Sequence, residues 1–341
     1  MKKRMIAGVF TLVLGAIALT GCGGSKTQDN GTAVTGTETS GITADDTTAG
    51  DTVKEEKTGG SIKIGVSQKA NTNPYNIEVA EAIQAAIKEG DSVILTDAQQ
   101  NQAKQISDVE DLIQQGCDVI LISPVDWKGT RGMLEACERA GVYGIVIDQN
   151  IPEEDAVYAA SVVCSDNYKA GQYCAESMVK AIDGKGDIVI YESTISKAGV
   201  DRVAGFEDYI ADYPEIKVVN RQDGIGQIEA SLPVMENMLQ SDPDIVGVFA
   251  FNDPAAIGCI AAVESANKID KIVVYGVDGS EQGIDMIQNG KMAGTAAQFP
   301  ALLGTTAIET AYKLMAGETV EKNIFIPVEF IDENNVSQFA N

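Results

Sequence analysis

No histidine occurs anywhere in the 341 residues, and tryptophan occurs once. The first absence excludes every Ser-His-Asp or Cys-His nucleophile and every histidine-held metal. A Walker phosphate loop is also missing. The one dinucleotide-like run, Gly224-Ile225-Gly226-Gln227-Ile228-Glu229, lacks the third glycine that close helix-to-strand packing needs. The chain therefore reads as a binder and not an enzyme, with no cofactor and no metal expected. Basic residues are scarce, 25 Lys and Arg against 50 Asp and Glu, for a formal net charge of −25. A chain this acidic lacks the electrostatic footprint of a nucleic-acid binder. Nor does that charge attract it to anionic lipid headgroups.

Cysteine is sparse and never spaced C-x-x-C. Cys117, Cys137, Cys164, Cys174 and Cys259 sit among β-branched and aliphatic neighbours and read mainly as small buried hydrophobes. Five cannot all pair within one chain, and a Cys164 to Cys174 disulfide stays open as an alternative.

What is present begins with Met1-Lys2-Lys3-Arg4, an uncharged apolar run over 5–19, and then Thr20-Gly21-Cys22. The run is shorter than the roughly 20 residues a membrane-spanning helix requires, and the arrangement is that of an export signal. It resembles a lipoprotein leader ending in a lipobox, with an uncleaved anchor or an ordinary signal with an incidental cysteine as the alternatives. That resemblance implies removal of residues 1–21, a lipid on the Cys22 sulfur, and a body held at the outer face of the cytoplasmic membrane. Residues 23–60 are rich in Gly, Ser, Thr, Asp and Glu, with no aromatic. They cannot bury enough surface to order themselves. They read as a tether with a reach of about 35 Å.

From residue 61 onward, short β-branched runs alternate with longer amphipathic stretches, the signature of βα units around parallel sheets. Strands are expected at 62–67, 92–96, 119–123, 142–148 and 157–163, and again at 187–191, 216–219, 245–251, 272–277 and 294–297. Helices are expected at 75–89, 227–240 and 302–315, the last stopping at Gly317, and a final strand at 324–331. The two sets share one plan. The fold class is therefore α/β, with two similar doubly wound, Rossmann-like parallel-sheet lobes.

Ligands in such folds bind beyond the carboxyl ends of the strands. Those loops hold Asn73-Pro74-Tyr75, Asp148-Gln149, Asn252-Asp253, Asp278 and Gln298, with Arg202 at the start of the helix after the Tyr191 loop. A sugar hydroxyl both donates and accepts, so carboxylate, amide and guanidinium groups together satisfy it. An unpaired buried hydroxyl costs about 1–3 kcal/mol, which makes such a set selective among epimers. Tyr75 offers a ring to the C–H face of a sugar. Singly, each residue also has an ordinary structural reading. Asp253, followed by Pro254, reads more as a helix N-cap than as a ligand contact, and Trp127 more as packing than as cleft rim.

The ordered series Asn73-Pro74-Tyr75, Ile122-Ser123-Pro124-Val125-Asp126, Ile147-Asp148, Arg202-Val203-Ala204-Gly205-Phe206, Phe251-Asn252-Asp253, Gly276-Val277-Asp278-Gly279 and Ala297-Gln298-Phe299-Pro300 closely resembles the ribose-binding family of type I periplasmic binding proteins. That resemblance implies ligand contact by Asn73, Tyr75, Asp148, Arg202, Asn252, Asp278 and Gln298. Gln149 stands where the family has an arginine. It further implies a three-strand hinge, with residues 61–164 and 299–326 as the N-terminal lobe and 165–298 and 327–341 as the C-terminal lobe. The implied function is an extracytoplasmic, monomeric solute-binding lipoprotein of an ABC importer. It would take a pentose, hexose or polyol by lobe closure and deliver it to the permease and ATPase subunits. The alternative is a sensory protein presenting ligand to a membrane receptor. Asn76 and the run Gly224-Ile225-Gly226 replace aromatics of the family. The site thus reads as short of stacking surface and of one cation.

Overall fold

The computed structural model describes residues 60–339. Cys22 and the leader lie outside them, and so does the tether apart from Gly60. The first sheet collects β1 (Lys63–Gln68), β2 (Ser92–Asp97), β3 (Val119–Ile122), β4 (Tyr143–Asp148), β5 (Ser161–Ser165) and β11 (Asn323–Ile326). Their spatial order is β11-β5-β4-β3-β1-β2, all parallel. The second sheet holds β6 (Gly186–Glu192), β7 (Ile216–Asp223), β8 (Gly247–Ala250), β9 (Val273–Asp278), β10 (Gly294–Ala297) and β12 (Glu329–Asp332). Its order is β12-β10-β9-β8-β6-β7, with only β12 antiparallel. Two similar doubly wound lobes result, as the alternation of sequence patterns predicts.

Crossover helices cover both faces of each sheet. They are α1 (Pro74–Ala85), α2 (Gln102–Gln114), α3 (Arg131–Arg139), α4 (Glu153–Ala156) and α5 (Asn167–Ala181), then α6 (Lys197–Ile210), α7 (Ile228–Ser241), α8 (Asp253–Ser265), α9 (Glu281–Gln288) and α10 (Pro300–Met315). A strand covered on both faces has no polar side to keep, which is why Val119-Ile120-Leu121-Ile122 is apolar throughout and fully buried. Each lobe accordingly has two cores. In the first, Ile64, Val66, Leu121 and Ile147 pack with Leu303 and Ile308 of α10, and Ile120 and Ile122 pack with Leu134 of α3 on the other face. All five described cysteines are buried in these cores, and Cys164 and Cys174 form no disulfide.

The chain passes between the sheets three times, after β5, after β10 and after β11. The last passage corrects the expected single strand at 324–331. Proline has no N–H to give a ladder, and at Pro327 the run divides into β11 and β12 in different sheets. The strand expected at 157–163 likewise starts later, at Ser161, because residues 153–156 turn into α4.

One helix contact sets up the binding face. A Cβ on Gly171 of α5 would lie 1.8 Å from the Arg202 carbonyl oxygen, and one on Gly205 of α6 would lie 2.0 Å from that of Tyr168. Glycine at both positions lets the two backbones touch. That contact brings the first residue of α5, Asn167, against Arg202.

Candidate ligand-binding cleft

Each sheet ends one central strand in an aspartate with an unusual backbone. Asp148 closes β4 at φ 77° and Asp278 closes β9 at φ 146°. A non-glycine residue in these regions is strained and is held there by its surroundings. Each carboxylate faces a cation. Lys69 Nζ lies 2.5 Å from Asp148 Oδ2, and the Ser123 hydroxyl lies 3.5 Å from the same oxygen. Arg202 Nη1 stands 3.6 Å from Asp278 Oδ1, which also accepts from Gln298 Nε2 at 2.8 Å.

Arg202 sits in the second turn of α6, not at its start, and is buried. Its fork is fixed from two sides. Nε donates to Asn167 Oδ1 at 2.8 Å and Nη1 to the Phe251 carbonyl at 2.8 Å. Burial pushes the Asp278 carboxyl up to about 7, against the pull of Arg202 and with a further push from Asp253. Asp253 itself is fully buried and structural. It accepts from the Thr295 hydroxyl at 2.6 Å, and from the Ser280 N–H at 2.8 Å and hydroxyl at 2.9 Å. The expectation that Asp253 caps α8 is thereby corrected. The cap is Asn252, whose Oδ1 accepts from the Ala255 N–H, and Asp253 is the first helical residue.

Tyr75 joins the two lobes' contributions. Its hydroxyl is pushed well above the ordinary phenol range, first by burial and then by the charge of Asp148, while Arg202 and Asp278 also act on it. Charges from both lobes therefore act on one hydroxyl, together with the nearby Ser165 hydroxyl. Five buried polar atoms among the described residues have no hydrogen-bond partner in the protein: Ser67 Oγ, Asn71 Oδ1, Tyr75 Oη, Ser165 Oγ and Gln298 Oε1. Ser67 is the penultimate residue of β1, Ser165 ends β5, Gln298 follows β10, Asn71 lies in the loop after β1, and Tyr75 belongs to the first turn of α1. Buried polar groups in native proteins are ordinarily paired. Such atoms collected at strand carboxyl ends form a surface suited to a small molecule with several hydroxyl groups.

The remaining expected residues are engaged within the protein. Asn73 Oδ1 caps α1 by accepting from the Tyr75 N–H at 2.9 Å. Asn252 caps α8 and donates from Nδ2 to the Gly226 carbonyl at 3.1 Å. Gln149 hydrogen-bonds to Pro124, Ser196 and Lys197. Lys69 escaped the sequence reading, and it sets a cation beside Asp148 where residue 149 is an uncharged glutamine. It stands directly after β1, in the loop that the strand-end rule designates, but the Asn73-Pro74-Tyr75 motif drew the attention. Gly226 explains the missing aromatic nearby. At φ 66°, a Cβ there would meet the Phe251 ring at 2.4 Å, so that ring already fills the space.

Residues 64–319 match the family model described as a periplasmic binding protein domain. The ribose import binding protein RbsB of Bacillus subtilis (strain 168) is 37% identical over 269 residues, covering 78% of this chain and 86% of that protein. An ABC transporter solute binding protein from Bacillus halodurans C-125, solved with bound myo-inositol, superposes with a TM-score of 0.77 at 27% identity, covering 82% of this chain and 97% of that one. A periplasmic solute binding protein from Actinobacillus succinogenes 130z, solved with D-allose, gives a TM-score of 0.76 at 28% identity, covering 82% and 100%.

Proposed function

This chain belongs to the periplasmic binding protein family, in its ribose-binding-like branch, and from that premise we propose that it captures a monosaccharide or cyclic polyol for an ABC importer. The observation that carries the reading is the set of five unpaired buried polar atoms beside two carboxylate–cation pairs, one pair from each lobe. Two carboxylates and two cations balance, which suits a neutral ligand. Hydroxyl groups would donate to Asp148, Asp278 and the Gln298 oxygen, and accept from Lys69, Arg202 and Tyr75. The lobes would close on the ligand about the three passages between the sheets and present a joint surface to a membrane permease. The protein acts as a monomer held to the outer face of the membrane by lipid on Cys22.

Three results test this. D-Ribose, D-allose and myo-inositol are each added to the purified full-length protein in a thermal-shift experiment. A ligand at about 100 times its Kd contributes about 2.7 kcal/mol, enough to raise Tm by roughly 5–10 °C for lobes of this size. No rise with any of the three sinks the sugar reading. Lys69→Met is expected to weaken the responding sugar by about 10- to 100-fold, the worth of a hydrogen bond from a charged group. Calorimetric affinity within twofold of wild type would remove Lys69 from the site. Feeding cells a palmitate analogue is expected to label the protein, and Cys22→Ala to abolish the label. Labelling that survives the substitution rules out the lipid anchor.

A further inference from the structure

Gln149 stands one residue beyond the first lobe's site carboxylate, yet it is 1% exposed and both ends of its amide face protein. Nε2 donates to the Pro124 carbonyl of its own lobe at 2.7 Å. Oε1 accepts from the Lys197 N–H at 2.8 Å and the Ser196 hydroxyl at 3.3 Å, the N-terminus of α6 in the other lobe. Two more bonds cross the same seam. Asn150 Nδ2 donates to Asp201 Oδ2 at 3.3 Å, and Trp127 Nε1 donates to the Thr194 carbonyl at 3.2 Å. The Lys197 ammonium, paired with Asp201, also stands 5.6 Å from the centre of the Trp127 ring.

We propose that Trp127, Gln149 and Asn150 form a clasp that draws the two lobes together on residues 194–201 before any sugar binds, with Gln149 the positioning residue that seats the α6 N-terminus and, through it, Arg202. The first N–H groups of a helix need outside acceptors. Ser196 Oγ serves Gly199, and Gln149 Oε1 serves Lys197. Parting the lobes deprives both the Lys197 N–H and the Gln149 oxygen of these partners, and that loss favours the closed form. Affinity for any ligand scales with the fraction of molecules already competent to bind, so a clasp of this kind strengthens binding without touching the sugar. The inference rests on the two-lobed binder described above, but its test uses no sugar.

Trp127 is the chain's only tryptophan and sits on the seam, so its fluorescence reports the clasp in the purified full-length protein. Gln149→Ala is expected to lower the closed-to-open ratio by about tenfold. That change raises acrylamide quenching of Trp127 and widens the radius of gyration in small-angle X-ray scattering, with the circular dichroism spectrum unchanged. Asn150→Ala, on the half-buried side of the seam, acts in the same direction with less effect. Gln149→Glu keeps the acceptor for Lys197 and recovers most of the wild-type quenching. Equal quenching and equal radius in wild type and both alanine variants would overturn the clasp. The sugar panel reports separately, so either idea can fail while the other stands.

Discussion

Arg202→Met is expected to weaken sugar binding by about 30-fold to several thousand-fold, since truncating one member of a buried, hydrogen-bonded charge pair costs about 2–5 kcal/mol. The guanidinium holds three things at once. It is seated on Asn167 Oδ1 and the Phe251 carbonyl, and it faces Asp278. Methionine keeps the bulk but leaves both acceptors unpaired and Asp278 without its cation. Arg202→Lys is expected to recover little, because a single ammonium cannot reach Asn167 and Phe251 together in the manner of a rigid fork. Titration calorimetry well below each variant's melting temperature separates lost binding from lost stability. Affinity of Arg202→Met within threefold of wild type would show that Arg202 plays no part in recognition.

Binding is also expected to weaken as the solution is acidified, by up to about tenfold per pH unit below 7. The Asp278 carboxyl is raised to about 7 from 3.8, chiefly by burial. A sugar hydroxyl donating to Asp278 favours the ionised form, so ligand lowers this pKa and binding releases a proton below pH 7. The folding stability of the free protein runs in the opposite direction. An acid raised on folding holds its proton in the native state between pH 3.8 and about 7 while the unfolded chain has lost it. Stability from this group is thus present at low pH and is lost as pH rises through 7. Calorimetry from pH 5.5 to 8.5 in buffers of different ionisation enthalpy reads both the affinity and the proton. A flat profile with no proton released would exclude Asp278 as an acceptor for the ligand.

The alternation of apolar strands and amphipathic helices made both lobes legible, because a parallel sheet covered on two faces writes an unbroken apolar run such as residues 119–122. The strand-end rule then pointed to Asp148, Asp278, Gln298 and Tyr75; in the structure Gln298 bonds to Asp278, and the charges of Asp148 and Asp278 both act on the Tyr75 hydroxyl. Which way a side chain turns was not legible. Gln149 and Asn252 carry the same amide chemistry as Gln298, but Gln298 keeps an unpaired oxygen whereas their hydrogen bonds run to backbone and to the other lobe. Lys69 was hidden for a related reason. A lysine just past a strand looks like any solvated charge until Asp148 is found 2.5 Å away. The strand pattern alone did not show the division at Pro327, although the lobe boundaries implied by the resemblance put a crossing there; β11 and β12 are separated by two residues yet serve different sheets.

That late division governs the order in which the molecule becomes foldable. The first lobe's outer strand, β11, pairs with β5 across a gap of about 160 residues, and the second lobe's outer strand, β12, is made after it. A chain emerging from its amino end can therefore finish neither half until β11 and β12 have been synthesised. Pairings this distant in sequence are slow to form. Nascent protein of this kind stays incompletely folded until those strands are made, and any truncation ahead of residue 323 removes an edge from both lobes together.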